Sequence, residues 1–456
     1  MSFAASFILP CFLIATNLLM LRIIRRQFCL RGIFLSSLAS GLTLGAAVSQ
    51  ADDWPDWGGP ERDCVWHETG IVDKLPTEGL LPRVWSAPVA EGYSGPAVAN
   101  GRVFLTDRMA DAGTERVLCF DADSGKQLWK HEYPVRYTVS YPAGPRATPV
   151  VAGGVVYTVG AEGHMFCLAE EDGRVIWKKE FQKDYATPLP TWGMAASPLV
   201  YGDSLITLVG GSDGGLVICF DRKTGEEKWR SLDDPEIGYC PPVIYEFDGV
   251  PQLIIWHPSA VSSLDPSNGS INWEVPWSIK AGLCVPMPRK LGQQLFLTSF
   301  YNGPLMLKVN RKSADIVWKG KSNNEIRTDG LHSIMPTPVV TESAIYGVCS
   351  YGQLRCLNTQ TGERVWETLE ATGSGRWWNA FLIPNGDRYF IHNEQGELII
   401  AQLSAEGYKE TSRALLVEPT RPVQRRMTIW SHPAFAMKSV FARNDKELVR
   451  VDLSKP

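Results

Sequence analysis

A ten-residue phrase recurs along this chain at nearly constant intervals, and a chain that copies itself in this way has to be read one repeat at a time. The clearest copy runs from Phe120 and Asp121 through Gly125 to Trp129; it returns as Phe220 to Trp229, Leu264 to Trp273 and Leu357 to Trp366. Weaker copies run from Leu168 to Trp177 and from Val309 to Trp318, where Ala314 replaces the glycine. Each copy reads as a strand, a tight turn and a second strand opening on tryptophan. Upstream of each copy lie two further strand signals, as in Val150-Val151, Gly153-Gly154 and Val155 to Val159. The alternation and the glycine punctuation predict antiparallel strands joined by hairpins.

The tryptophans stand at 85, 129, 177, 229, 273, 318 and 366, at intervals of 44, 48, 52, 44, 45 and 48 residues. That interval is the length of one four-stranded propeller blade. Six blades end at Trp129, Trp177, Trp229, Trp273, Trp318 and Trp366. A seventh begins at Asn379 and loses its tryptophan, since Gly407 is followed by Thr411; an eighth begins at His432 and stops one strand short. Val84-Trp85 has a blade-ending tryptophan and no blade of its own. The prediction is an all-β, eight-bladed propeller of four-stranded antiparallel blades, closed when this N-terminal strand completes the last blade and removes the open edges.

The pattern of a Gly turn, a Leu/Phe-Asp strand and Thr/Ser-Gly before the tryptophan resembles the pyrroloquinoline quinone (PQQ) repeat, over roughly residues 81–453. The resemblance implies the eight-bladed fold. It carries two functions: quinoprotein alcohol dehydrogenases, and non-catalytic propellers resembling the outer-membrane β-barrel assembly lipoprotein.

Residues 1–51 hold four arginines and no Lys, Asp or Glu. Arg22, Arg25, Arg26 and Arg31 precede an apolar stretch from Ile33 to Val48 and a small-x-small site at Ser49-Gln50-Ala51, which is the grammar of a secretory signal peptide. Phe3 to Leu21 is a second apolar stretch, read either as upstream of a true start at Met20 or as a membrane helix. The predicted organisation is a leader over 1–51, an N-terminal extension over 52–80 and the propeller over 81–456, in a periplasmic or secreted protein. Membrane association would come only through an uncleaved leader. Without the leader, 41 basic and 49 acidic side chains leave a net charge of −8, and a mildly acidic surface without a basic stripe argues against nucleic acid. The arginine cluster at 421, 425 and 426 reads as a solvated loop.

Ten cysteines in an exported chain raise the question of disulfides. Cys119, Cys167, Cys219 and Cys356 occupy the same slot of different repeats, where they would face different layers, so they read as small buried fillers. No Cys-x-x-Cys or His-x-x-x-His spacing suggests zinc. Cys64, Cys240, Cys284 and Cys349 carry no assignment.

Aligning the innermost strands on Pro96, Pro149, Pro198, Pro242, Pro288, Pro338, Ala380 and Pro433 maps a funnel. Three residues earlier stand Tyr93, Arg146, Ala195, Tyr239, Val285, Met335, Trp377 and Trp430. One residue earlier stand Gly95, Thr148, Ser197, Pro241, Met287, Thr337, Asn379 and His432, and strand alternation puts both sets on one face. The candidate binding funnel is Tyr93, Arg146, Tyr239, Trp377, Trp378, Asn379, Trp430 and His432. Arg146 either bonds channel carbonyls or binds an anion, and His332 and His432 read as structural imidazoles. Trp54 to Pro60 precedes the first blade and is expected to pack on the outside of the propeller; the alternative is a lid. The funnel positions hold no carboxylate, whereas the quinoprotein enzymes hold PQQ on calcium through carboxylate and amide oxygens. Asp329 and Glu236, in nearby loops, are the possible substitutes. No catalytic residue, cofactor or metal site is assigned. The sequence therefore reads as an exported, non-catalytic binding or assembly module taking a protein segment or a carbohydrate; the alternative is a PQQ-dependent alcohol or sugar dehydrogenase using PQQ and calcium.

Overall fold

The computed structural model describes residues 52–211 and 213–456; the leader expected over 1–51 lies outside them. Eight four-stranded antiparallel sheets follow one another around a ring. Blades one to seven are built from consecutive strands over 97–134, 150–180, 199–231, 243–276, 289–319, 339–368 and 380–415. The eighth takes three strands from the C-terminus, and Trp85–Pro88 adds the outermost one, with Trp85 opposite Arg450 and Pro88 opposite Glu447. A bidentate pair from Arg83 to Glu447, at 2.6 and 2.9 Å, fixes this register. The predicted fold and its N-terminal closure are both present.

The recurring Gly and Trp have one steric cause, and it acts between blades. The Trp85 ring lies on Gly125 of the next blade, where a Cβ would sit 2.6 Å from it; Trp129 covers Gly173, Trp177 covers Gly225, Trp229 covers Gly269 and Trp318 covers Gly362 in the same way. These glycines also have φ between +70° and +74°, a conformation that a Cβ penalises. The indole N–H then donates to a carbonyl of the covered turn: Trp85 to Ala122 at 2.9 Å, Trp129 to Glu170 at 2.9 Å, Trp177 to Arg222 at 3.1 Å and Trp318 to Thr359 at 3.0 Å. Trp229 makes the contact without the bond and Trp273 donates instead to Gln252 of its own blade at 2.7 Å, so a tryptophan that covers a glycine clamps its own blade onto its successor. Within its blade it stands opposite the filler slot, as Cys119 to Trp129, Cys167 to Trp177, Cys219 to Trp229 and Cys356 to Trp366. A small side chain there leaves room for the ring. The described cysteines are all free, and all but Cys64 are buried.

Blade seven, which lacks its tryptophan, is clamped by other means. Ser412 occupies the vacated register position opposite Ile400, and its hydroxyl accepts the Leu75 N–H at 3.0 Å. The chain from 71 to 81 runs along this edge: Leu81 N bonds Leu415 O at 2.8 Å and Leu415 N bonds Gly79 O at 3.0 Å. Ile71, Leu75 and Leu81 join residues of blades seven and eight in one apolar core.

The stretch from Trp54 to Pro60 does not lie on the outside. It crosses the ring beneath the inner strands, where Trp54 pairs with Val98 of blade one, Pro55 O accepts from Val151 N of blade two at 2.9 Å, and Trp66 N reaches Pro384 O of blade seven at 2.9 Å. Arg62 bonds Pro198 O at 3.0 Å and Asp56 at 3.2 Å. The indoles of Trp54 and Trp66 bury against Phe435, with ring centroids 6.0 and 4.9 Å away. Burying two indoles against the strands of the ring favours this course over an exposed one, since each removes about 150–250 Å² from water.

Candidate funnel site

A cavity of about 200 Å³ opens at the end of the axis opposite this crossing segment, and all eight residues standing three positions before the inner strands line it. The inner strands start there, so the loops that feed them converge on the axis. Tyr93, Trp430, Trp377 and Tyr141 form a continuous aromatic wall: Tyr93 stacks on Trp430 at 6.2 Å, Tyr141 meets Trp430 at 5.9 Å and Trp377 at 5.8 Å, and Trp377 meets Trp430 at 6.3 Å. Trp192 and Tyr239, with centroids 5.7 Å apart, line it as well. Tyr141 and Trp377 both have positive φ, 54° and 66°. For bulky residues that conformation is costly and persists only where surrounding contacts impose it.

The floor is His432 and Trp57. Trp57 meets the imidazole edge to face at 4.2 Å. His432 lies against Gly95, where any Cβ would collide with the ring. Its Nε2 accepts the Thr148 hydroxyl at 2.6 Å when Nδ1 carries the proton toward Pro433 O at 3.1 Å. Burial lowers its pKa to about 4, so the ring is neutral near pH 7 and acts as a spacer.

Of the predicted funnel residues, Tyr93, Arg146, Tyr239, Trp377, Trp430 and His432 line the cavity, while Trp378 and Asn379 do not. Trp378 follows Trp377 in the turn that precedes the strand Ala380–Asn385, and its ring packs away from the cavity. It covers Gly373 and carries the Arg426 guanidinium 5.1 Å above its ring. Asn379 belongs to the deeper ring, whose level on the axis is filled by His432; it is buried, and its side-chain amide has no partner among the described residues. Sequence reasoning missed Tyr141, Trp192 and Trp57. The first two were findable as the aromatic residues of long loops feeding blades two and three.

Arg146 is committed to backbone. Its guanidinium donates to Ser140 O at 2.8 Å, Tyr141 O at 2.6 Å and Gly144 O, and it stands 5.1 Å over the Tyr93 ring. Desolvation lowers its pKa; no carboxylate lies within ion-pairing distance of it among the described residues. The neighbouring Arg376 and Arg421 are paired, with Glu325 at 2.8 Å and with Asp445. Arg421 stands over Tyr93 and Arg426 pairs with Glu394, so the arginine cluster is largely structural.

Among the described residues no Asp, Glu, Asn or Gln lines the cavity. Asp329 is turned back to accept from Lys321 N at 2.6 Å and Gly330 N at 3.0 Å, and Glu236 lies against Gly282. The oxygen donors that a calcium-held quinone needs are thus not at this funnel, and the residues present do not fit that group. Elsewhere, Asp234, His257 and Ser262 form a relay at 2.7 and 2.9 Å, but Ser262 is fully buried and also bonds Glu274 at 3.0 Å. It cannot reach a substrate.

Repeat, ring and aromatic funnel together define an eight-bladed propeller of the PQQ-repeat class. Its sequence matches the family pattern described as outer membrane protein assembly factor BamB over residues 82–229, 113–275 and 257–455, nearly the whole propeller, and the chain belongs to that family. Among solved structures it is similar to BamB from Moraxella catarrhalis, with 16% identity, TM-score 0.55, and 82% of this chain and 98% of that one covered. It is also similar to the quinohemoprotein alcohol dehydrogenase from Comamonas testosteroni, at 12% identity, TM-score 0.59 and coverages of 87% and 80%. A europium-containing methanol dehydrogenase is similar at 12% identity, TM-score 0.59 and coverages of 87% and 89%. At these identities the likeness shows the fold alone. No curated protein matches in sequence.

Proposed function

We propose that the chain is an exported, non-catalytic binding or assembly module whose funnel holds a protein segment or a carbohydrate. The observation that carries this reading is the funnel itself: eight repeat-equivalent positions converge on one cavity whose walls are aromatic and apolar. Such a surface binds by shape and stacking; its imidazole, His432, is engaged with Thr148 and Pro433, and among the described residues no carboxylate or amide lines it to cage a metal. Membership of an outer-membrane assembly family supports a binding role outside the cytoplasm. No helix among the described residues is long and apolar enough to cross a membrane.

The test is reconstitution of the purified protein with PQQ and calcium, followed by a dye-linked assay with alcohols and sugars. The expected result is no saturable PQQ binding and no dye reduction. Tight PQQ binding with alcohol-dependent reduction would establish the dehydrogenase instead.

A further inference from the structure

We infer that the funnel receives one large apolar side chain of an extended protein segment, preferably with an acidic residue beside it; the inference rests on the funnel being the ligand site. Size sets the first limit. A cavity of about 200 Å³ is little larger than the roughly 150 Å³ that accommodates benzene, so it takes one ring or one branched aliphatic group, and an oligosaccharide would have to extend beyond it.

Hydrogen bonding separates a side chain from a single sugar. A sugar hydroxyl needs a donor and an acceptor, and leaving either unmade in a buried site is costly. Apart from the Tyr93 and Tyr141 hydroxyls, the polar groups around this cavity are largely engaged. Arg146 is held by three carbonyls, His432 by Thr148 and Pro433, and the Ser197 hydroxyl accepts Thr148 N at 3.0 Å. The Tyr239 hydroxyl accepts Trp192 N at 3.4 Å. The buried side-chain atoms left without a partner are the indole nitrogens of Trp57 and Trp377, and an indole only donates. A donor-only pair on an apolar wall matches backbone carbonyls beside an apolar side chain.

Charge selects the flanks. Arg376 stands 4.5 Å over Trp377, while Arg146 and Arg421 stand 5.1 and 5.0 Å over Tyr93. Two of these are ion-paired, with Glu325 and Asp445, while Arg146 has no ion pair and feels Glu115 and Glu162 only at longer range, so the Tyr93 side of the wall carries a positive bias. An acidic neighbour is attracted and a basic one repelled.

Calorimetric titration of the purified protein with four probes tests this: N-acetyl-Asp-Phe amide, N-acetyl-Lys-Phe amide, N-acetyl-Asp-Gly amide and methyl β-glucoside. The Asp-Phe probe should saturate, with the Lys-Phe probe about 2- to 10-fold weaker at low salt, a gap that closes as salt screens it. Asp-Gly and the glucoside should not saturate. Ala195→Phe, which fills the cavity, should weaken Asp-Phe binding at least about 10-fold; Trp377→Gly, which opens the wall where φ is already positive, should do the same should the first variant not fold. Glucoside binding that Ala195→Phe abolishes, with no peptide binding, overturns the inference and leaves the funnel reading standing. Asp-Phe binding unchanged in both variants places the site elsewhere and overturns both, and no binding by any probe overturns the inference.

Discussion

Truncating the closing tryptophan measures what the inter-blade clamp is worth. Trp85 is 8% exposed. Of the roughly 150–250 Å² an aromatic side chain buries, about 180 Å² is lost in Trp85→Ala, and at ~25 cal/mol per Å² this costs about 4.5 kcal/mol. The broken indole bond adds little, because Ala122 O keeps a second donor in Arg450 Nη1 at 3.0 Å. The expected loss is therefore about 3–5 kcal/mol, and Trp129→Ala, in the middle of the ring, should match it. The sharper arm is Gly125→Ala. In the wild type it meets both the φ of +70° and the Trp85 ring 2.6 Å from its new Cβ; in the Trp85→Ala background only the φ term, about 1–2 kcal/mol, remains. Urea unfolding followed by circular dichroism on the wild type, both single variants and the double variant should give a coupling of about 1–3 kcal/mol. An equal cost of Gly125→Ala in both backgrounds would mean that the glycine serves only the turn. A near-neutral Trp85→Ala would mean that the ring closes by other contacts.

Arg146→Ala should lower stability by about 1–3 kcal/mol, since three carbonyls of the 140–144 loop lose their donor, whereas Trp377→Gly should melt close to wild type; a stable Arg146→Ala that has lost ligand binding would return this arginine to the ligand. Burial raises the folded pKa of Asp56 to about 6 against the ordinary ~3.9, with Arg62 partly opposing. Its contribution therefore favours folding below about pH 4 and is withdrawn as pH rises through 6, by at most ~3 kcal/mol. The stability difference between wild type and Asp56→Asn should accordingly fall between pH 4 and 7, and a flat difference would sink the argument. Mass spectrometry of the exported protein should find Asp52 at the N-terminus, and retention of residues 3–21 would favour the membrane-helix account of the leader.

The blades were legible because most of them meet the same steric demand. Strand alternation, turn glycines and the tryptophan interval are local signals, and the ring follows from their number. The partner of each clamp was not legible. Gly125 and Trp129 are four residues apart in one phrase, yet Trp129 lies on Gly173 and Gly125 lies under Trp85. A repeat shows that two residues recur together and is silent on which copy touches which. Blade seven makes the same point, since the loss of its tryptophan could be read at Thr411, but the Leu75 backbone bonding to Ser412 at 3.0 Å could not.

The funnel divides along the same line. Residues at one register position of eight equivalent strands must lie at one height around the axis, so the alignment found the cavity wall, and the sequence supplied its chemistry. The floor obeys no such rule. Trp57 precedes every repeat, and only the three-dimensional path of 52–66 beneath the ring carries it to His432, 4.2 Å away. That path passes beneath His432, and the wall above it carries Tyr141, Trp377 and Trp430. Two of those three have positive φ, and Arg146 fixes the loop that carries Tyr141. This part of the wall is thus held in an imposed backbone conformation, which is the expected character of a site preorganised for one shape of ligand.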